Sequence, residues 1–94
     1  MRLIWSPEAR DDLIEIYRTL AADNPQAARR LHETIKQCAA LLRDNPYAGH
    51  HGRVPGTREW VGGTAYLVPY QILEDRVELL RVYHAVRSWP ERFE

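Results

Sequence analysis

The sequence predicts a small α+β domain in which an antiparallel pair of helices covers one face of a β-sheet. Two long segments in the N-terminal half carry apolar residues at helical spacing, and three segments in the C-terminal half are rich in β-branched and aromatic residues. A short apolar segment precedes the first helix. Because helices and strands are segregated along the chain, an α+β arrangement is expected rather than alternating α/β units.

The N-terminal segment predicts a short strand followed by a helix. Residues Arg2–Trp5 favour a strand, which Ser6 and Pro7 end. Ser6 can cap a helix, and Pro7 then stands at the first helical position, where its missing N–H is not needed. The helix is expected to fade near Ala22. One apolar stripe recurs at helical spacing: Ala9, Leu13, Ile16, Tyr17 and Leu20.

A second helix is predicted directly after the first. Asn24 and Pro25 repeat the signal of a cap followed by proline, and Asn45-Pro46 ends the helix because a residue before proline avoids the helical region. Its predicted inner face consists of Leu31, Thr34, Ile35, Cys38, Leu41 and Leu42. A link this short requires the two helices to pack as an antiparallel hairpin.

The C-terminal half predicts three strands in an antiparallel meander. After a loop over residues 46–56, strands are expected over residues 57–61, 65–73 and 76–84, joined at Gly62-Gly63 and at Glu74-Asp75. The N-terminal strand is expected to join the sheet beside one of these strands. Alternation places Tyr66, Val68, Tyr70 and Ile72 on one face, toward the helices.

Composition places the chain among cytoplasmic globular proteins. Its 94 residues suit one domain, residues 1–94, and 45% hydrophobic residues can build one modest core. The single cysteine, Cys38, excludes an internal disulfide framework and is expected in the core. No signal peptide or membrane-spanning segment is visible. The formal net charge of zero argues against a general nucleic-acid coat, although 12 arginines accompany only Lys36.

Motifs for metals and cofactors are weak or missing. The chain carries no Gly-rich phosphate loop, no paired cysteines and no His-Glu-x-x-His pattern. His50-His51 is the best metal-like feature, but no acidic or thiol partner stands at a fixed spacing from it. We therefore expect neither a metal nor a cofactor.

Basic and aromatic residues gather in the C-terminal half, and two interpretations stay open. The basic residues are Arg58, Arg81, His84 and Arg87, with Tyr66, Tyr70, Tyr83 and Trp89 near them. On one interpretation the arginines hold phosphates while a tyrosine or histidine moves protons or stacks on a base. On the other, the arginines form surface ion pairs with Glu59, Glu74, Glu78 or Glu91.

Six segments, in this order along nearly the whole chain, resemble the RelE/ParE superfamily of toxins, also called plasmid-stabilisation proteins. They are Ser6-Pro7-Glu8-Ala9 leading into Asp11-Asp12-Leu13, Asn24-Pro25-Gln26-Ala27-Ala28, Leu42 to Pro46, Pro55-Gly56-Thr57-Arg58-Glu59, Tyr66-Leu67-Val68-Pro69-Tyr70 and His84-Ala85-Val86-Arg87-Ser88-Trp89. The resemblance implies the toxin of a type II toxin–antitoxin system.

The resemblance implies one of two activities. RelE-like members cut mRNA in the ribosomal A site without a metal, and ParE-like members inhibit DNA gyrase without established catalytic residues of their own. RelE-like nucleases commonly carry an arginine after the first tyrosine of the strand over residues 65–73, where this chain has Leu67. This departure favours the ParE-like branch, which would not be an enzyme. Under the nuclease alternative, the candidate catalytic residues are Arg58, Arg81, His84 and Arg87.

The implied partners are a cognate antitoxin and DNA gyrase, or the ribosome and mRNA under the alternative. A toxin–antitoxin hetero-oligomer is possible, and no membrane partner is expected. Candidate target-recognition residues are Arg58, Tyr83, His84, Arg87 and Trp89, and candidate antitoxin-binding residues are Leu3, Trp5, Leu13, Tyr17 and Trp60. A third interpretation is an interaction module that has lost toxicity but still binds its antitoxin.

Overall fold

A computed structural model of the chain describes residues 1–62 and 65–84, which form two α-helices and a six-stranded mixed sheet. The helices are α1 (Pro7–Asp23) and α2 (Pro25–Asp44). The strands are β1 (Arg2–Trp5), β2 (His50–His51), β3 (Arg58–Gly62), β4 (Tyr66–Ile72), β5 (Arg76–Leu79) and β6 (Tyr83–His84). A 3-10 turn over Pro46–Ala48 follows α2.

Both helices begin at the predicted caps. Ser6 Oγ accepts a hydrogen bond from Ala9 N at 3.0 Å, and Asn24 Oδ1 accepts one from Ala27 N at 3.2 Å. Asn24 also ends α1, since its N–H donates to Leu20 O at 2.6 Å. One residue thus closes the first helix and opens the second, so α2 must fold back beside α1 as a hairpin.

The sheet runs in the order β1-β5-β4-β3-β2, with β6 also paired to β4. The predicted meander is present as β3, β4 and β5, in which β4 is antiparallel to both β3 and β5. β1 lies at one edge and pairs parallel with β5, where Leu3 faces Val77 and Trp5 faces Leu79. The expectation that the first strand joins a later one is confirmed, and the sheet is mixed because this one pair is parallel.

Two details of the predicted C-terminal half are wrong. The expected single strand over residues 76–84 is two strands, β5 and β6, separated by Leu80, Arg81 and Val82. The expected loop over residues 46–56 contains the 3-10 turn and the short edge strand β2, which pairs with β3. The turn predicted at Gly62-Gly63 extends into residues outside those the structure describes.

The core lies between the helical hairpin and one face of the sheet. Its buried apolar members are Ala9, Ile16, Leu31, Ile35, Cys38, Leu42, Tyr66, Val68, Tyr70, Val77, Leu79 and Val82. The predicted inward face of β4 is confirmed, with Ile72 partly buried against this cluster. Leu67 and Pro69, on the opposite face of β4, are buried as well.

Candidate functional site

The break between β5 and β6 is a β-bulge opposite the middle of β4. Tyr70 faces Leu79 and Leu67 faces Tyr83, so two residues of β4, Val68 and Pro69, lie opposite three residues of the other strand. Leu80 N donates to Pro69 O at 2.9 Å, but Pro69 has no N–H to return the bond. The Leu80 carbonyl instead accepts a hydrogen bond from Ser6 Oγ at 2.9 Å. The extra residue of the bulge therefore lies between Leu80 and Tyr83.

Asp12 of α1 binds the bulge with both carboxylate oxygens. Its Oδ2 accepts from Arg81 Nε at 2.7 Å and from Val82 N at 3.0 Å, and its Oδ1 accepts from Arg81 Nη2 at 2.9 Å. The Val82 N–H, which the bulge removes from the ladder, is thereby satisfied. The hydrogen bonds to Asp12 raise the pKa of the Arg81 guanidinium above its already high ordinary value. The charge of Arg81 is therefore matched within the protein.

A cleft of about 230 Å³ opens beside this ion pair. It is lined by Asp12, Glu15, Ile16, Arg81, Val82, Tyr83 and His84. The His84 and Tyr66 rings meet edge to face at 5.0 Å between centroids, and the Arg81 guanidinium carbon lies 5.4 Å from the Tyr83 ring centroid. Burial raises the pKa of the Tyr83 hydroxyl. Two carboxylates and one arginine line the cleft, so its electrostatic character does not favour a phosphate.

Arg58 holds the chain segment that follows α2. Its Nε and Nη2 donate to Gly49 O at 3.1 and 2.7 Å, and Nη2 also donates to Tyr47 O at 3.3 Å. Tyr70 also holds this segment, because its hydroxyl donates to Pro46 O at 2.6 Å and accepts from Gly49 N at 2.9 Å. Arg58 thus has an identifiable structural task.

The structure places Arg81, Tyr83 and His84 together but sets Arg58 apart from them. In the sheet, Arg58 is the cross-strand neighbour of Tyr70, and His84 is the cross-strand neighbour of Tyr66. Tyr66 and Tyr70 both belong to β4 and are four residues apart. At the usual rise of a strand this separation is about 13 Å. The predicted candidates Arg87 and Trp89 lie outside the described residues.

Glu59 is a buried carboxylate that forms an ion pair with Arg53. Its side chain is 3% exposed, and its Oε2 accepts from Arg53 Nε at 3.0 Å and from Arg53 N at 3.2 Å. Surface pairing by arginines was one of the two interpretations of this region. Glu59 does pair with an arginine, but with Arg53, and Glu78 instead accepts a hydrogen bond from Gln71 at 2.8 Å.

An apolar groove of about 410 Å³ lies between α1 and α2. Its lining consists of Leu13, Ile14, Tyr17, Arg18, Leu31, His32 and Ile35. Ile14 and Tyr17 are 44% and 49% exposed, which is high for large apolar side chains. Arg18 from α1 and His32 from α2 supply its polar groups.

Two of the five candidate antitoxin-binding residues line this groove, namely Leu13 and Tyr17. Leu3, Trp5 and Trp60 do not line it; they are partly buried side chains that pack against the core, as Leu13 also does. Leu13 and Tyr17 are therefore the candidates that a partner segment bound in this groove would contact.

The remaining sequence candidates do not form a chemical site in the described residues. Cys38 is buried as predicted, and burial raises the pKa of its thiol to about 12, so it is not a nucleophile at neutral pH. Within residues 1–62 and 65–84, no group of three or more histidine, cysteine or acidic side chains could hold a metal ion. In the same ranges, neither helix is long and apolar enough to cross a membrane.

Sequence reasoning missed Asp12 and Tyr47 as residues of interest. The partners of Asp12 stand 69 and 70 positions later in the chain, where no local pattern connects them to it. Its presence in the Asp11-Asp12-Leu13 segment was the one available signal. Tyr47 lies in a segment predicted as a plain loop, and nothing in the sequence showed that this loop is held.

Comparisons with known proteins agree on a toxin. A family model described as ParE toxin of type II toxin-antitoxin system, parDE, matches residues 3–89. The protein Y4kP of Sinorhizobium fredii, which is named as a toxin, is 37% identical over 96% of this chain and 94% of its own. Toxin RelE2 of Caulobacter vibrioides is 28% identical over 92% of this chain and 97% of its own. A solved chromosomal ParDE toxin–antitoxin system from P. aeruginosa superposes with a TM-score of 0.75 at 25% identity, covering 89% of this chain and 95% of that one.

Proposed function

Because the chain belongs to the ParE toxin family of type II toxin–antitoxin systems, we propose that it arrests growth in the cytoplasm by inhibiting DNA gyrase. A cognate antitoxin would hold it inactive. The observation that carries the choice of gyrase over mRNA is the bidentate pairing of Arg81 with Asp12 beside His84.

A ribonuclease of this superfamily would need cationic side chains that are available to a phosphate. Arg81 is matched by Asp12, and Arg58 lies four residues along β4 from His84, about 13 Å away, so neither supplies an available cation beside His84. Leu67, which stands where RelE-like nucleases carry an arginine, is 2% exposed within the sheet. These residues support a binding surface rather than a catalytic one.

We place the antitoxin in the groove between α1 and α2. An apolar groove between two helices suits the apolar face of an amphipathic segment that folds on binding. Arg18 and His32 at the groove favour acidic residues beside that face. Leu13 and Tyr17 are then the contacts with the antitoxin, while Tyr83 and His84 line a separate cleft.

Induced expression without the antitoxin tests the choice of target. We expect growth arrest with DNA-damage signalling and intact mRNA, and inhibition of supercoiling when the purified toxin is added to gyrase. Rapid mRNA cleavage without DNA-damage signalling would refute the gyrase proposal. Unchanged growth would favour an interaction module without toxicity.

Ribosome-dependent mRNA cleavage is kept as a second candidate because one relative is named Toxin RelE2 and His84 lies in an accessible cleft. A histidine there could transfer a proton near neutral pH. Under this candidate His84→Ala abolishes mRNA cleavage, whereas the gyrase proposal predicts no mRNA cleavage from the wild-type chain.

A further inference from the structure

The 3-10 turn after α2 presents one aromatic side chain to solvent. Tyr47 is 67% exposed, more than the other large apolar side chains of the described residues. Its ring is not part of the core, so the fold gives it no packing role. A single exposed tyrosine on a loose loop is common at protein surfaces and indicates no function by itself. Whether Tyr47 is a binding residue is therefore judged from the groups around it.

The backbone on both sides of Tyr47 is held. Tyr70 Oη donates to Pro46 O at 2.6 Å and accepts from Gly49 N at 2.9 Å, and Arg58 donates to the carbonyls of Tyr47 and Gly49. A side chain on a fixed backbone loses less conformational entropy when a partner binds it. Buried and charged groups thus fix a segment whose most prominent side chain points outward.

Arg58 also supplies a charge beside the ring. Its guanidinium carbon lies 5.3 Å from the centroid of the Tyr47 ring. Unlike Arg2, Arg53, Arg76 and Arg81, it has no carboxylate within ion-pair distance in the described ranges. Tyrosine and arginine are both among the residue types enriched at the energetic centres of protein interfaces.

We propose that Tyr47, with Arg58 behind it, is a contact point for the toxin's target protein, and that it is separate from the antitoxin groove. This inference rests on the proposed function for the nature of the target. The partner that fits is a protein surface with an apolar depression next to a carboxylate.

Two observations favour a protein target over the antitoxin and over nucleic acid. Ile35, the last groove residue on α2, precedes the end of the helix by nine residues, which is about 14 Å of helix. Tyr47 therefore lies well beyond the groove. A nucleic acid needs several phosphate contacts for useful affinity, and this point offers one guanidinium in a chain of formal net charge zero.

The test compares Tyr47→Ala, Tyr47→Phe and Thr19→Ala in the full chain. Thr19 is an exposed residue of α1 outside both surfaces, and its hydroxyl bonds only its own helix. Growth arrest on induction, gyrase supercoiling and affinity for the antitoxin encoded by the neighbouring gene are measured for each. We expect Tyr47→Ala to need about tenfold more protein to inhibit gyrase and to arrest growth less, with antitoxin affinity unchanged. Tyr47→Phe and Thr19→Ala should behave as the wild type.

Three results would overturn the inference. The first is full growth arrest by Tyr47→Ala, and the second is a loss of antitoxin affinity as large as the loss of gyrase inhibition. The third is a salt-dependent loss of binding to an RNA of about 20 nucleotides, which is long enough for several phosphate contacts. If the wild type arrests growth without inhibiting gyrase, the gyrase proposal fails, and the growth of cells carrying Tyr47→Ala still decides the role of Tyr47. A wild type that arrests no growth overturns both. Unchanged antitoxin affinity also shows that Tyr47→Ala is folded.

Discussion

At the scale of the residue, Asp12 does more than its place in a helix requires. It matches a charge, satisfies a backbone N–H that the bulge leaves without a strand partner, and joins α1 to the end of the sheet. The pair is only partly shielded from solvent, with side chains 28% and 17% exposed. Its contribution is therefore expected to exceed that of a surface ion pair without reaching that of a fully buried one.

Replacing Asp12 by alanine should lower the free energy of unfolding by about 2 kcal/mol, because Arg81 and the Val82 N–H lose their acceptor together. Urea unfolding followed by tryptophan fluorescence measures the change. Asp11→Ala is the matched control, since Asp11 is an exposed neighbour on the same helix, and it should change stability by less than about 0.5 kcal/mol. Equal effects of the two substitutions would mean that the contacts of Asp12 do not stabilise the fold.

Gly49 is constrained by space. A Cβ at this position would stand 2.6 Å from both Glu59 O and Tyr70 Oη, so Gly49→Ala must displace the segment that carries Tyr47. We expect a loss of about 2–3 kcal/mol in the free energy of unfolding, measured by urea titration. Gly56 has a φ of +84° but open space around it, so Gly56→Ala should cost only about 1 kcal/mol. A smaller loss for Gly49→Ala than for Gly56→Ala would contradict this ranking.

Local roles could be predicted from the sequence and distant pairings could not. Ser6 and Asn24 were recognised as caps because a cap depends on the few residues that follow it. The partners of Asp12 and Arg58 depend on which strands meet in space. The bulge that removes the Val82 N–H from the strand ladder cannot be recognised in the sequence, because the residues around it all favour strands.

At the scale of the element, the two helix caps differ in how much they hold. Asn24 caps α2 with one exposed bond, whereas Ser6 caps α1, donates to Leu80 O and has its N–H bonded to Leu79 O. The end of β5 is therefore fixed to the start of α1 by the same residue. The bulge begins directly after that point.

Ser6→Ala should consequently destabilise the protein more than Asn24→Ala. We expect about 2 kcal/mol for Ser6, which loses a cap and a bond to the bulge, and about 1 kcal/mol for Asn24. Thermal unfolding followed by circular dichroism gives both values under the same conditions. The opposite order would show that the link between Ser6 and Leu80 contributes little.

The strands show where pattern reasoning ends. Period-two alternation identified the inner face of β4, but all five residues from Tyr66 to Tyr70 are buried. Pro69 within β4 also accounts for the break in the partner strand, because Pro69 has no N–H to donate to the Leu80 carbonyl and the ladder loses one hydrogen bond there. The proline was visible in the sequence, yet its effect depended on which strand lies beside it.

At the scale of the whole molecule, stability should vary across the sheet. β4 has neighbours on both sides, while β2 is a two-residue strand at the edge with exposed side chains. We expect the Val68 amide to exchange with deuterium about 100-fold more slowly than the His51 amide, as measured by NMR. Similar protection at both positions would mean that the edge and the centre open together.

The parallel pairing of β1 with β5 also determines when the sheet can be completed during translation. Residues 2–5 cannot take their place in the sheet until residues 76–79 have been made. At roughly 5–20 residues per second the intervening chain takes about 4–15 s to translate. A nascent chain therefore passes this interval without its finished sheet, and under the proposed function this is the time that an antitoxin already present in the cell has before a competent toxin exists.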